Sequence, residues 1–311
     1  FGNHVTRFEL LRTDGTRRVC SATENPDWFF ATIGGLGLTG LITWAELQLK
    51  KVPNSAINLE TIKYQDLAAF FALSEESEST HEYTAAWIDC LAAREKIGRG
   101  HFLRGNHARV TQPKPAAGKL KLGMPIDPPL SLVNSLSLRA FNALYYNRLM
   151  QERTSATVHY DPFFYPLDFV HDWNRMYGPK GFLQYQCVVP NEVSYDAIKE
   201  MLQRIAMANA GSFLVVLKVF GDVPSRGMLS FPRPGATLAL DFPYQGNRTT
   251  QLFDQLDDVV VQAGGAIYPA KDAHMKAEHF RMFYPKHDSF KQFKDPGISS
   301  SFWRRVMEDN A

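Results

Sequence analysis

The sequence predicts an α+β fold, antiparallel sheet covered on one face by helices, and three observations carry that prediction. Residues 181–268 alternate period-two and period-3.6 apolar patterns in the order strand, helix, strand, strand, helix, strand. The first twenty residues read as a hairpin. Between these regions a helix, a glycine-rich turn and a strand succeed one another, the reverse of the order in a dinucleotide-binding unit.

The bulk properties set the bounds. A chain of 311 residues, 45% of them hydrophobic, can bury a substantial core and suggests about two domains. A net charge of +2 provides no clustered basic stripe, so nucleic acid is not expected as a partner. Cys20, Cys90 and Cys187 are odd in number, far apart and without metal spacing, which reads as reduced, buried thiols. The histidines also lack metal spacing, so no metal site is expected. No apolar run reaches the roughly 18 residues a membrane-spanning helix needs. Phe1 does not read as a translation start and leads straight into a strand pattern, so the chain is expected to be part of a longer protein.

In chain order, Phe8 and Leu10 alternate with Arg7 and Glu9, Asp14-Gly15 signals a type I′ turn, and Arg17 to Cys20 returns. Asn25 suits an N-cap, Pro26 the first helical position and Asp27 the positive helix end, so Pro26 to Ile33 reads as a helix stopped by Gly34. Gly35, Gly37 and Gly40 then spell G-x-G-x-x-G, but the next element is the strand Leu41 to Lys50, which Pro53 ends. Helix, turn, strand offers no helix N-terminus to a pyrophosphate, which argues against a nicotinamide-type Rossmann unit. The glycines mean either positive φ, or a flat ligand or another backbone too close for a Cβ.

Ala56 to Tyr64, about Asp66 to Ser74, and Tyr83 to Asp89 read as strand, helix, strand, with Glu75 to Ser79 as a solvated acidic loop. Residues 94–135, with scattered glycines, prolines and basic residues, read as a long irregular excursion. Leu136, Ala140, Phe141, Leu144, Tyr145 and Leu149 recur at helical spacing. With only Arg139 and Arg148 as cations, this reads as a packing helix more than a membrane-surface one. Then come the strand Phe182 to Val189, a helix striped by Val193, Ala197, Ile198, Met201, Leu202 and Ile205, and the strands Phe213 to Phe220 and Thr237 to Phe242. A helix striped by Leu252, Phe253, Leu256, Val259, Val260 and Ala263 and the short strand Ala266 to Tyr268 complete the split βαβ order, which leaves one sheet face free.

Polar residues placed on that sheet are the candidate site. Gln184 and Gln186 share one face of an otherwise apolar strand. Lys218 sits in mid-strand within SFLVVLKVFG, where burial is costly unless the ammonium meets an anion or a polar cavity; the alternative is that it faces water. Asp241 shares a face with Thr237 and Ala239, and no role for it emerges from the sequence. Lys271 reads as a surface lysine in the first turn of a helix through Met275, His279 and Met282 that Asp272 would cap. A cation is unfavourable there, a hint that something else holds it.

The runs FGNHVTRFELLRTDG, ATIGGLGLTGLIT, PLDFVHDWNRMYGPKGFLQYQ, FPRPG, LDFP and GGAIYPAKDAH resemble the FAD-linked oxidases of the vanillyl-alcohol-oxidase type, over nearly the whole chain. The likeness is strongest to a branch that oxidises a lipid-linked ribose together with a reductase. It implies FAD as cofactor, a partial discontinuous FAD-binding domain formed by residues 1–54 and 266–311, and a substrate domain of antiparallel sheet and helices at 55–265. Residue by residue it implies Tyr268 beside the flavin, Lys271 near the reacting centre, and Gln186 and Lys218 in the substrate pocket, with Gln184 joining them as the neighbour of Gln186 on its strand face. Gly35, Gly37, Thr39, Gly40 and Ile42 fall on the cofactor side. The implied reaction is oxidation of a secondary alcohol on a sugar, with hydride passing to flavin N5, a base taking the hydroxyl proton and Lys271 steadying the developing charge. A sugar or lipid-linked sugar phosphate, a partner reductase and peripheral membrane contact are the implied partners, in a cytoplasmic or membrane-peripheral location. A sugar-lactone or alditol oxidase, or a non-catalytic split βαβ binding module, are the alternatives. Two departures matter. Ala239 stands where some relatives carry the cysteine that covalent inhibitors attack, so that susceptibility is expected to be absent. The chain also begins after the loops expected to hold the FAD pyrophosphate, so residues 1–311 purified alone should carry no stoichiometric flavin, an expectation that a yellow preparation with one flavin per chain would overturn.

Overall fold

The computed structural model describes residues 2–109, 122–124, 126–166, 170–271 and 274–308. Strands β1 (Val5–Leu11) and β2 (Arg17–Ser21), helix α1 (Pro26–Thr32) and strand β3 (Leu41–Leu47) open the chain, the strands forming an antiparallel sheet in the order β2-β1-β3. Phe8 and Leu10 point from β1 into a core closed by Phe29 of α1, whose ring stacks on Phe8 at 5.3 Å. Two local details differ from the sequence pattern. Of Asp14 and Gly15 only Gly15 has positive φ (+82°), and the Gly15 amide donates to the Arg12 carbonyl, so the hairpin turns through a three-residue loop ending in glycine and not a type I′ pair. Asn25 precedes the helix in the left-handed region and its side chain donates to the Val19 carbonyl, tying α1 to β2 instead of capping the helix.

The larger unit runs from β4 (Ala56–Tyr64) through α2 (Leu67–Glu78), β5 (Tyr83–Ile88) and β6 (Gly100–His107). A two-residue strand β7 (Leu122–Gly123), helix α3 (Ser135–Asn147), strand β8 (Arg153–His159), helix α4 (Tyr160–Phe164) and strand β9 (Val170–His171) come after it. The split unit expected from periodicity is β10 (Phe182–Val189), α5 (Ser194–Met207), β11 (Val215–Phe220), β12 (Gly235–Pro243), α6 (Asn247–Gln262) and β13 (Ala266–Ile267). Short helices α7 (Ala277–Phe283), α8 (His287–Lys291) and α9 (Ser301–Met307) finish the chain. Met275 lies ahead of α7, not on it, and Asp272 lies outside the described residues.

Eight strands form one antiparallel sheet in the order β13-β10-β12-β11-β5-β6-β4-β8. Each half has the split βαβ order, fourth, first, third, second, and the two halves meet edge to edge where β11 pairs with β5. Sequence periodicity reveals only the second half. Residues 94–135 are not irregular throughout, because they contain β6, a central strand of the first half. Its Gly100 lies where a Cβ would collide with the Trp87 carbonyl, and its buried Arg104 pairs with Glu60 and Glu76. That pairing also explains why Glu75 to Glu78 end α2 instead of forming a loop, with Ser77 buried and donating to the Leu73 carbonyl.

Helices α2, α5 and α6 pack on one sheet face, through Phe70 against Phe102, Met201 against Cys187 and Phe253 against Phe242. On the opposite face α3 covers the first half, Tyr145 lying on Trp87 at 4.5 Å and the His101 ring reaching the Tyr146 carbonyl at 3.0 Å. The corresponding face of β10, β12 and β11 carries polar side chains. All three cysteines are buried free thiols.

Candidate active site

The register of the second half assembles the polar face. Gln184 lies opposite Asp241, Gln186 opposite Ala239, and Lys218 opposite Thr237, while Tyr185, Cys187, Leu217, Leu238 and Leu240 between them face the helices. Gln186 Nε2 donates to Thr237 Oγ1 at 3.3 Å, which fixes the orientation of its amide. Lys218 reaches solvent and makes no ion pair among the described residues, while packing around its stem lowers its pKa below the ordinary lysine value. The ammonium thus emerges from the sheet into solvent, and the packing around the stem disfavours its charge.

Asp241, for which the sequence suggests no role, is the least satisfied polar group of the face. Only 2% of it is exposed, and its Oδ1 has no hydrogen-bond partner. Burial pushes its carboxyl up to about 6, against the opposing pull of Lys271 and of Gln184.

Tyr268 and Lys271 reach the same region from beyond β13. The Tyr268 amide donates to the Gln186 carbonyl at 2.8 Å, and its ring stacks on Phe231 at 4.6 Å with an interplanar angle of 26°. Phe231 belongs to the FPRPG run, and sequence reasoning misses it as a site residue because a stacking partner so far along the chain leaves no periodic signal. Lys271 closes a single 3-10 turn, Pro269–Lys271, with its amide on the Tyr268 carbonyl at 3.2 Å and its side chain exposed.

The glycine turn meets Tyr268 across a cleft of about 580 Å³ whose walls include Gly34, Leu36, Phe231, Tyr268 and Ala270. Gln184, Gln186 and Lys218 are not among its lining residues. Within the turn, Gly37 has φ +72°, and a Cβ on Gly35 would collide with the Ala31 carbonyl, so positive φ and close backbone approach both operate. Gly40, at φ +145°, brings the chain within 2.7 Å of the Leu11 carbonyl for any added Cβ. Thr39 is buried, its hydroxyl donating to Thr32 Oγ1 at 3.0 Å. Ile42 lies exposed on β3, an edge strand of the small sheet, with Leu41, Trp44 and Leu47 exposed beside it.

These residues suit a flat cofactor with an oxygen-rich substrate. An orphaned carboxylate oxygen and an ammonium without an ion pair among the described residues lie on one sheet face, and a stacked tyrosine follows the strand at its edge.

No family model matches the chain. It is 34% identical over 324 residues to the decaprenylphosphoryl-β-D-ribose oxidase of Mycolicibacterium smegmatis, a match covering 99% of this chain and 69% of that protein. The chain belongs to the FAD-linked oxidases. FAD is the cofactor of this family, and the protein is an oxidoreductase. An uncharacterised protein of Streptomyces coelicolor is 32% identical over 98% of this chain and 87% of its own length. Cytokinin dehydrogenase 1 of Arabidopsis thaliana is 30% identical over 89 residues, 28% of this chain and 15% of that protein.

Proposed function

We propose that this FAD-linked oxidase takes hydride from the carbinol carbon of a secondary hydroxyl on a phosphorylated, lipid-linked sugar. The reading rests above all on the Lys218 ammonium, without an ion pair among the described residues, beside the hydrogen-bonded Gln186 and Thr237 on the polar face. Such a group is satisfied by an anionic or oxygen-rich ligand. FAD, when bound, supplies the hydride acceptor at N5.

In this reading Tyr268 and the glycine turn, with Gly35, Gly37, Thr39, Gly40 and Ile42, line the cofactor side, within a domain of residues 1–54 and 266–311. Residues 55–265 form the substrate domain. Gln184 and Gln186 orient the sugar hydroxyls, and Lys218 holds the phosphate. Lys271 places its ammonium at the reacting oxygen, where it lowers the energy of the alkoxide that develops as a base takes the hydroxyl proton. The test is anaerobic bleaching of the enzyme-bound flavin. A polyprenyl-phosphoryl pentose should bleach it within seconds, and a sugar lactone or alditol should not; the reverse preference would move the protein to the lactone or alditol oxidases.

A partner reductase would return the oxidised sugar to the hydroxyl level, and a lipid-linked substrate calls for contact with a membrane surface. Helix α3 suits that contact: Phe141 and Tyr145 pack inward, while Leu136 and Leu144 remain 77% and 76% exposed, with Arg139 and Arg148 alongside. Wild-type protein should co-sediment with anionic vesicles, and Leu136→Ser with Leu144→Ser should weaken this several-fold. Equal sedimentation of both would remove α3 from the membrane reading.

A further inference from the structure

We propose that Arg12 and Asp295 form a clasp that holds the glycine turn in the shape the flavin binds, which makes Arg12 a positioning residue for the cofactor. This rests on the reading that the glycine turn lies on the cofactor side. Within the turn, Leu36 has a conformation that needs a cause. Its φ is +57°, in the left-handed region that side chains rarely adopt, and it lines the cleft across which the turn meets Tyr268. A glycine or an asparagine would take that angle with less strain. Strain of this kind persists only where the surrounding structure over-determines it.

The surrounding structure is the clasp. Arg12 follows β1, and its Nη1 donates to the Thr39 carbonyl and to the Phe293 carbonyl, both at 2.9 Å, while Nη2 donates to the Lys294 carbonyl at 3.3 Å. Trp28 of α1 covers the guanidinium, with its ring centroid at 4.6 Å. The Asp295 amide donates to the Leu38 carbonyl at 2.7 Å. The carbonyls of Leu38 and Thr39, just beyond the strained residue, are thus taken by groups from the first hairpin and from the segment after α8.

Those groups are themselves fixed. Asp295 is wholly buried; its Oδ2 accepts from the Thr13 amide at 2.9 Å and lies 3.6 Å from Arg12 Nε. Its Oδ1 accepts from the Gly297 amide at 2.9 Å and from the Thr13 hydroxyl. A Cβ on Gly297 would collide with Thr13, so this segment closes tightly on the hairpin. Leu38 is buried in the core as well. With Leu38 and Thr39 held in this way, Leu36 cannot turn back to negative φ without breaking the clasp, and the wall of the cleft keeps its shape before the ligand arrives.

The test measures FAD affinity by flavin fluorescence, with apoenzyme prepared from the FAD-loaded enzyme. Arg12→Gln should raise the FAD dissociation constant about tenfold. Arg12→Lys should raise it about threefold, since lysine keeps the charge beside Asp295 but lacks the planar fork that spans three carbonyls; should Arg12→Gln not fold, Arg12→Lys carries the same comparison. Arg104→Gln is the control for stability alone: it breaks the buried pairs with Glu60 and Glu76, and should lower the melting temperature while leaving FAD affinity within about twofold. Leu36→Asn reads the strain. In that background Arg12→Gln should cost no more than about threefold in affinity, because the left-handed angle no longer needs holding.

Wild-type affinity in Arg12→Gln and Arg12→Lys, while Ala270→Trp fills the cleft and weakens FAD, would overturn the clasp and leave the site reading standing. An equal loss in Arg104→Gln would mean that affinity follows general stability, and that too overturns it. So does a tenfold loss that persists undiminished in Leu36→Asn, since the clasp would then not act through the strained residue. If Ala270→Trp binds FAD as the wild type does, the cleft is not the flavin's, and the site reading fails and the proposal with it.

Discussion

Replacing Lys271 with alanine in the FAD-loaded enzyme is expected to slow flavin reduction by substrate about a hundred- to a thousandfold while the flavin remains bound. The magnitude is that of removing one preorganised donor from a developing oxyanion. The side chain is exposed at the end of the Pro269–Lys271 turn, so its loss opens no cavity, and the fold should survive. Tyr268 keeps its stacking on Phe231 and its amide bond to the Gln186 carbonyl, so that wall of the cleft stays in place. Stopped-flow reduction at the wild-type rate, with a normal flavin spectrum, would take Lys271 out of the site. Lys271→Arg should recover part of the rate, since it restores the charge without the geometry.

The parts of this molecule that are legible in sequence are those whose reasons are local. The second split unit can be read because its strands alternate and its helices are striped, and the same period of two puts Gln184 with Gln186 and Asp241 with Ala239, as the strand register bears out. The first unit is half hidden because β6 is held by partners far along the chain. Gly100 and Gly105 weaken its strand propensity and are there because Trp87 and Ile57 pass too close for side chains. Arg104 has the composition of a surface cation and is buried among carboxylates from β4 and α2. Strand β8, RTSATVH, is a polar edge strand that pairs with β4, and it carries no apolar alternation to betray it. The same division holds for the site. That Lys218 is costly to bury is evident from its neighbours on one strand. Asp241 is costly because it is buried, and the groups that act on its carboxyl, Gln184 of β10 and Lys271 after β13, come from separate elements that no window of sequence contains together.

Lys218→Met should weaken binding of a phosphosugar ligand about ten- to more than a hundredfold while leaving the melting temperature equal or slightly raised. Methionine keeps the length of the stem between Val219 and Leu217 and removes only the charge. A charge-assisted contact to phosphate contributes roughly 1.5–3 kcal/mol, which sets the scale of the affinity loss. The melting temperature is governed by the sign of the lysine's shift. Partial burial lowers its pKa, so the folded state binds the proton less tightly than the unfolded one, and the charged lysine opposes folding at every pH below that value. Because the side chain also reaches solvent, this opposition is screened and the stabilisation from removing it is small. Gln186→Leu should act in the same direction on affinity but more weakly, since a neutral hydrogen bond contributes about 0.5–1.5 kcal/mol and its present partner, Thr237 Oγ1, can turn to the ligand instead. Titration calorimetry with a pentose phosphate and thermal melts of both variants separate the cases. Unchanged affinity in Lys218→Met would mean that the ammonium serves only solvent and that the polar face of β10, β12 and β11 is not where the sugar lies. A drop in affinity accompanied by an equal loss of stability would mean instead that the lysine's stem, and not its charge, supports the sheet.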